Sequence, residues 1–359
     1  MYEDKTEENI KKEMLDNISN KIDKGEKSLT YDAISPVAIE LANMYIELDY
    51  VVNKLDTENL SGEELERFIY QHTGTVARKP ATKATTTIII NGQEGAKISK
   101  GDLVGADTVN FISTEDKSMD NTGQMTVLVE CELPGAIGNV PAGAIKYFPV
   151  SIAGLTSVTN PDSAVNGYDA ESDESLLERY YERIRTPATS GNKYHYLNWA
   201  KEVVGVGDAR VIPLWQGDNT VKVIIIDSNK QPASTELVEQ VQEYIDPNIT
   251  GLGEGQAPIG AFCTVISAIG KAIDITFTVT RDTNYTVEQI KANVENNIIE
   301  YLKSIAFKED IVSYARIGAI ILDSEGVLDY EGFTINSGTS NIAIGNEEVA
   351  ILGEVLINE

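Results

Sequence analysis

Residues 135–179 read GAIGNVPAGAIKYFPVSIAGLTSVTNPDSAVNGYDAESDESLLER, and this stretch decides the architecture. Its first part is a run of turns. Pro141-Ala142-Gly143 and Asn160-Pro161 are turn-makers, because proline fixes φ and glycine tolerates positive φ. Its end is a helix start. Asp169, Glu171, Asp173 and Glu174 bring negative charge to the point where a helix presents unpaired N–H groups. Leu176, Tyr180 and Ile184 then recur at i, i+4 and i+8, with Leu177 and Tyr181 beside them, so a helix over 173–185 has one apolar face. A β-domain therefore hands over here to a domain of helices and strands.

Toward the N-terminus, residues 1–80 read as helical. Ile10, Met14, Ile18 and Ile22 recur every fourth residue and predict a helix that ends at Lys24-Gly25. Ser35-Pro36 predicts the next start, with Ser35 as N-cap and Pro36 at the first helical position. That helix carries Val37, Leu41, Met44, Leu48, Val51 and Leu55 at alternating spacings of four and three, an a/d seam. Such a seam either packs on its own domain or receives a helix of another subunit. Ser61 and Glu64 form a capping-box pattern before Leu65, Phe68 and Ile69.

Near residue 81 the pattern changes. Thr85–Ile90 is β-branched throughout and ends at Asn91-Gly92, a hairpin signal. Short strands are predicted near 96–99, 109–113, 125–132 and 145–150, which gives a small sandwich or barrel over 81–165. Beyond it, helices at 173–185, from Ser190 to Val204 and at 235–245 alternate with strands at 208–213, 221–226 and 265–266. Val221–Ile226 is nearly all apolar and is read as a central strand. The last part, 269–359, repeats this order of elements without repeating residues. It holds a strand at 273–280, a helix at 286–302, a hairpin-like DSEGVLDYEGFTI and a C-terminal strand long enough to leave an edge for another chain. The fold class is thus α+β and multidomain: a helical N-terminal region (1–80), a small all-β domain (81–165), and two α/β, sandwich-like α+β domains (166–268 and 269–359).

With 359 residues the chain exceeds one ordinary core. Asp and Glu number 56 against 29 Lys and Arg, a net charge of −27. Nucleic acid needs clustered cations to displace phosphate counterions, and the sequence offers no such cluster, so no nucleic-acid partner is expected. Anionic membrane surfaces are disfavoured for the same reason. The acidity serves solubility and also suits a basic partner surface. Cys131 and Cys263 stand far apart without a CxxC partner and read as buried, reduced side chains. MYEDKTEENIKKEM lacks an apolar signal core, and no run of 18 apolar residues occurs, so the reading expects no signal peptide, no membrane span and folding in the cytoplasm.

The search for chemistry finds no catalytic, cofactor or metal residue to name. There are two histidines. His72 falls at a helix C-terminus, where it complements the dipole, and His195 lies between two tyrosines. HExxH, GxSxG and P-loop patterns do not occur. Gly251–Gly255 lacks the Lys-Ser/Thr of a phosphate loop and reads as a flexible connection. Asp169, Glu171, Asp173 and Glu174 do not match a calcium loop. Among so many acids, any chosen carboxylate pair carries no weight as a glycosidase centre. Tyr180, Tyr181, Tyr194, Tyr196 and Trp199 read as core or interface before they read as a sugar platform.

Five blocks in order resemble the baseplate J family. They are 62–84 (Gly62, Leu65, Gly74, Arg78, Ala84), the β segment (Gly92, Ile98, Gly101, Phe111), GNVPAGAI at 138–145, VTNPDSAVNGYDAESDESLLERY at 158–180, and 196–213 (Trp199, Ala200, Gly205, Val206, Ala209, Val211). The family usually shows Gly-Gly where this chain has Asn166-Gly167; Asn tolerates positive φ, so the turn is expected to survive. The resemblance implies a non-enzymatic wedge protein of a contractile phage tail, R-type bacteriocin or related injection machine. Two copies would pair in each wedge, and wedges would close a ring around the hub and spike. The implied partners are a second copy, a smaller wedge protein bundled with the N-terminal helices, the sheath initiator and the hub and spike proteins. The implied setting is assembly in bacterial cytoplasm and residence in the baseplate. Hinges near 159–169 and 251–260 would let domains reorient. An extracellular fibre-type binding module or a cell-wall hydrolase would also fit the residues; the first needs repeated aromatic sugar sites, the second one indispensable Asp or Glu.

Overall fold

The computed structural model describes residues 2–74 and 76–358. The chain is α+β, with two compact units: Met1–Ala77 together with Ser172–Tyr181, and Arg78–Glu171 together with Glu182–Glu359.

The first unit is helical. It holds α1 (Glu7–Asp16), α2 (Leu29–Asn53), α3 (Gly62–Thr73) and most of α4 (Asp173–Arg185). Two expected boundaries shift. The first helix stops at Asp16, leaving Ile18 and Ile22 outside it. The second starts at Leu29 rather than beside Ser35, because the Ser28 side chain accepts the Tyr31 N–H as its cap. Pro36 therefore lies inside the helix, where it removes one ladder bond, and the Ser35 hydroxyl donates back to the Tyr31 carbonyl. The expected capping box at Ser61 does not form. Its side chain caps nothing, Glu64 pairs with Lys54, and the Gly62 N–H donates instead to Asp173 at 3.0 Å. Leu65, Ile69, Val76, Leu176 and Tyr180 make the core between α3 and α4.

The second unit begins with a nearly closed barrel. Its strands are β1 (Lys83–Gly92), β2 (Lys97–Ile98), β3 (Leu103–Gly105), β4 (Asn110–Ser113), β5 (Lys117–Ser118), β6 (Gln124–Pro134) and β7 (Leu155–Thr159). Five of them form an antiparallel sheet in the order β3-β4-β6-β1-β7. Alternation along β1 sends Ala84, Ile88 and Ile90 into the core with Phe111, Val127, Val129 and Cys131. Asn91-Gly92 is not a hairpin. Both residues continue β1, and glycine is needed there because a Cβ would stand 2.5 Å from the Gly154 carbonyl oxygen. The strand expected at 145–150 reduces to one bridge, between Tyr147 and Gly105.

The central domain follows: α5 (Lys193–Glu202), β8 (Val206–Pro213), β9 (Thr220–Asp227), α6 (Thr235–Ile245) and β10 (Phe262–Ser267). β9 is the middle strand, antiparallel to β8 and parallel to β10, with α6 as the crossover. Asn192, not Ser190, caps α5; Ser190 has φ of +49°. The C-terminal domain holds β11 (Ile269–Arg281), α7 (Val287–Ile305), β12 (Ile311–Val312), α8 (Tyr314–Asp323), β13 (Val327–Ile335), β14 (Ile342–Ala343) and β15 (Glu348–Asn358). The hairpin-like segment is one strand, β13, entered through Gly326 at φ +91°. The sheet order is β13-β11-β15, with β11 antiparallel to β13 and parallel to β15. Both domains thus share a middle strand with one parallel and one antiparallel neighbour. They reach it in different chain order, so the C-terminal domain is not a simple repeat of the central one.

Candidate protein–protein interface

The residues that carry the family signature build the fold. Asn139 holds the backbone of Gly167 at both ends: its Nδ2 donates to the Gly167 carbonyl at 2.7 Å, and its Oδ1 accepts the Gly167 N–H at 2.9 Å. Gly167 must lack a side chain, because a Cβ would meet the Gly135 carbonyl oxygen at 2.6 Å. Asn166 adopts φ of +67°, as its type allows. Buried Asn160 ties Ile145, Pro141 and Asp162 together through three hydrogen bonds. The Thr82 N–H, just before β1, donates to the Tyr168 carbonyl, and the Thr85 N–H of β1 to that of Val165. A segment fastened so often is not built as a free hinge. The 251–260 loop is also fastened, since buried Asp246 accepts N–H bonds from Gly251 and Cys263.

Acidic residues at the start of α4 divide their work. Ser172 caps the helix through the Ser175 N–H, Asp169 accepts from Ala136, and Glu171 accepts from Lys79. His72 binds the Tyr180 hydroxyl at 2.8 Å and meets Phe68 edge-on. His195 accepts the Gly191 N–H at Nδ1, which places its own proton on Nε2, and stacks on Trp199 at 5.0 Å. It borders a polar cavity of ≈ 240 Å³ lined by Arg183 and Glu202, which pair with each other at 2.9 Å. Tyr196 and Tyr180 are core residues, their hydroxyl pKa values raised by burial, that of Tyr196 to about 12. Burial likewise raises the Cys263 thiol to about 12. Among the described residues no group of three His, Cys, Asp or Glu side chains could hold a metal ion, and no helix is long and apolar enough to cross a membrane.

What the first unit leaves open is α2. One side packs on α1 through Ile10, Ala38 and Ala42, with Met14, Leu41 and Tyr45 at the margin. Of the seam residues, Leu41 is therefore partly buried within the unit. Val37, Met44, Leu48 and Val51 are exposed on α2, and Leu55 is exposed just past its end. At about 100° per residue these five form one stripe. Ile39, Ile46 and Tyr50 are also exposed and fall on a second stripe, separated from the first by Glu40, Asn43 and Glu47. Ile39 and Ile46 line a groove of ≈ 490 Å³ with Tyr2, Lys5, Ala42 and Tyr45. The reading of the sequence missed this second stripe, although the i, i+7 spacing of Ile39 and Ile46 signals it. The C-terminal β15 is eleven residues long and has β11 as its strand partner, which leaves its far edge open among the described residues.

Family models match the chain from the barrel onward. Models of the baseplate J-like barrel, central and C-terminal domains match residues 87–167, 188–267 and 273–358. The chain is 38% identical to the uncharacterized protein YqbT and 36% identical to the phage-like element PBSX protein XkdT, both of Bacillus subtilis (strain 168). Each alignment covers 100% of this chain and 99% of the relative. It is 31% identical to baseplate protein gp47 of Escherichia phage Mu, over 55% of this chain and 57% of that protein. The chain belongs to the baseplate J-like protein family.

Proposed function

We propose that this protein is a non-enzymatic structural component of the baseplate of a contractile phage tail or tail-like particle. Within it the chain acts as a wedge protein that links the hub to the periphery and closes the ring with its neighbours. One observation carries the reading: α2 exposes two apolar stripes on either side of a glutamate ridge, and its own unit covers neither. A helix of this kind is stable when two further helices lie against it. A second copy of the chain and a smaller wedge protein are the occupants proposed, with the sheath initiator and the hub and spike proteins as further neighbours. Assembly takes place in the bacterial cytoplasm. The similarity to a baseplate protein of phage Mu over 55% of this chain favours a structural role over a hydrolase.

The test is co-production with the genomic neighbours, followed by light-scattering mass. A defined hetero-complex is expected from the natural chain. Leu48→Asp with Val51→Asp should abolish it while the barrel keeps its circular dichroism, because both side chains are exposed and serve no internal core. An intact complex from the double variant refutes the assignment of the seam.

A further inference from the structure

The central domain carries an apolar surface of its own at one end of the β8–β9–β10 sheet. Phe262 opens β10, lies in register with Thr220 of β9, and donates its N–H to the Asn219 carbonyl at 2.8 Å. The β8–β9 connection folds back to the same place, with the Leu214 N–H on the Thr220 carbonyl at 2.7 Å. The glycine-rich loop lies over it. Gly251 is so close to the Phe262 ring that a Cβ would stand 3.0 Å away, and Ile259 covers Gly253. Leu214, Leu252, Ile259 and Phe262 are all exposed, Ile259 by 84%.

Two independent features separate this patch from scattered surface apolar residues. The first is strain. Leu214 and Ile249 hold φ of +57° and +56°, a left-handed conformation that is strained for a bulky or β-branched residue. Both are exposed, so burial within this chain does not offset that strain. The second is charge. Asp218 and Glu254 stand exposed in the two loops and make no ion pair or hydrogen bond among the described residues. The nearby cation, Lys222, is already engaged: it lies 4.0 Å over the Trp215 ring and pairs with Glu347 at 2.7 Å.

We infer that this loop surface docks a partner protein of different sequence, whose matching face is apolar at its centre and carries lysine or arginine at its rim. A second copy of the chain fits poorly. It would bring Asp218 and Glu254 against like charges, within a chain of net charge −27. The surface is distinct from the α2 stripes and extends the proposed function to a second, charge-selected contact.

The test uses Leu252→Cys and Ile259→Cys in the full chain. Both natural cysteines are buried, so a maleimide reports only the introduced one. Complexes are isolated through a tag on this chain from cells that also produce its genomic neighbours. Labelling is expected to slow at least tenfold in the complex relative to the free chain. A zero-length carbodiimide should join Asp218 or Glu254 to a lysine of a different polypeptide, and Asp218→Asn with Glu254→Gln should remove that link. The inference is overturned if labelling is equally fast in both states, if the link runs to a second copy of this chain, or if the chain is recovered alone.

Discussion

Single residues hold the barrel closed, and Asn160 does so most directly. Asn160 is 1% exposed and its side chain makes three hydrogen bonds, so Asn160→Ala strips the buried Ile145 N–H of its acceptor and takes one of two donors from each of the Pro141 and Asp162 carbonyls. We expect a loss of roughly 3 kcal/mol, read from the urea midpoint; a loss below about 1 kcal/mol would mean that water replaces the side chain. Asp227 is a second case. Burial raises its carboxyl pKa to about 6, against the pull of the Gln231 and Asn229 N–H groups. The folded chain then binds this proton more tightly than the unfolded one. Its contribution is complete below about pH 4 and is lost as pH rises through about 6. Asp227→Asn should lack that loss, so the two stability curves should diverge across this window by roughly 2–3 kcal/mol. Parallel curves would contradict the assignment. The importance of Asn139, Asn160 and Gly167 was legible in the sequence as a pattern of turns. The bonds between Ile145 and Asn160 and between Asn139 and Gly167 were not, because they join residues 15 and 28 positions apart.

At the scale of elements, the sequence was most legible where periodicity and capping agree. The helix at 173–185 stands where apolar spacing and an acidic first turn put it, and the one at 235–245 where its amphipathic pattern put it. Reading failed where one residue had two uses. Gly92 looked like a turn glycine and is a close-approach glycine inside a strand; Pro36 looked like a first-turn proline and lies inside α2. The packing of α5 rests on charge that no local pattern reveals. Lys201 sits between Glu182 of α4 and Asp208 of β8, with all three side chains largely buried. Burial alone would lower the Lys201 pKa, but the Asp208 and Glu182 carboxylates outweigh it and raise it. Lys201→Met strands two carboxylates and should cost about 3–5 kcal/mol in urea unfolding. Adding Glu182→Gln and Asp208→Asn should recover most of that. If the triple variant is no better than the single one, packing of the lysine stem, not charge, is what α5 loses.

Across the molecule, the nearly continuous apolar run Val221–Ile226 explains how two domains of the second unit become one body. Val223 and Ile225 face α5 and α6 in the central core. Ile224 and Ile226 face the other way and share a core with Ala268, Ala306 and Val349, the last two from the C-terminal domain. A run without alternation signalled a strand covered on both faces; what covers the second face could not be read, because it arrives from 42 to 125 residues later. Polar contacts rim this core. Arg210 pairs with Asp310 at 2.8 Å and lies 4.8 Å over the Phe307 ring, while Lys222 reaches Glu347. A charge placed in the shared core should therefore be felt in both domains. Val349→Asp, at a position 1% exposed in β15, leaves an unpaired carboxylate facing Ile224 and Ile226. Hydrogen exchange should accelerate in the amides of β9 as well as in those of β15. Acceleration confined to residues 269–358 would mean that the two domains open separately, and reorientation between them would then be available to the assembled particle. Acceleration in both makes them one lever, and any change of shape must then arise elsewhere, with the contact surfaces proposed on α2 and in the 214–262 loops as the places to look.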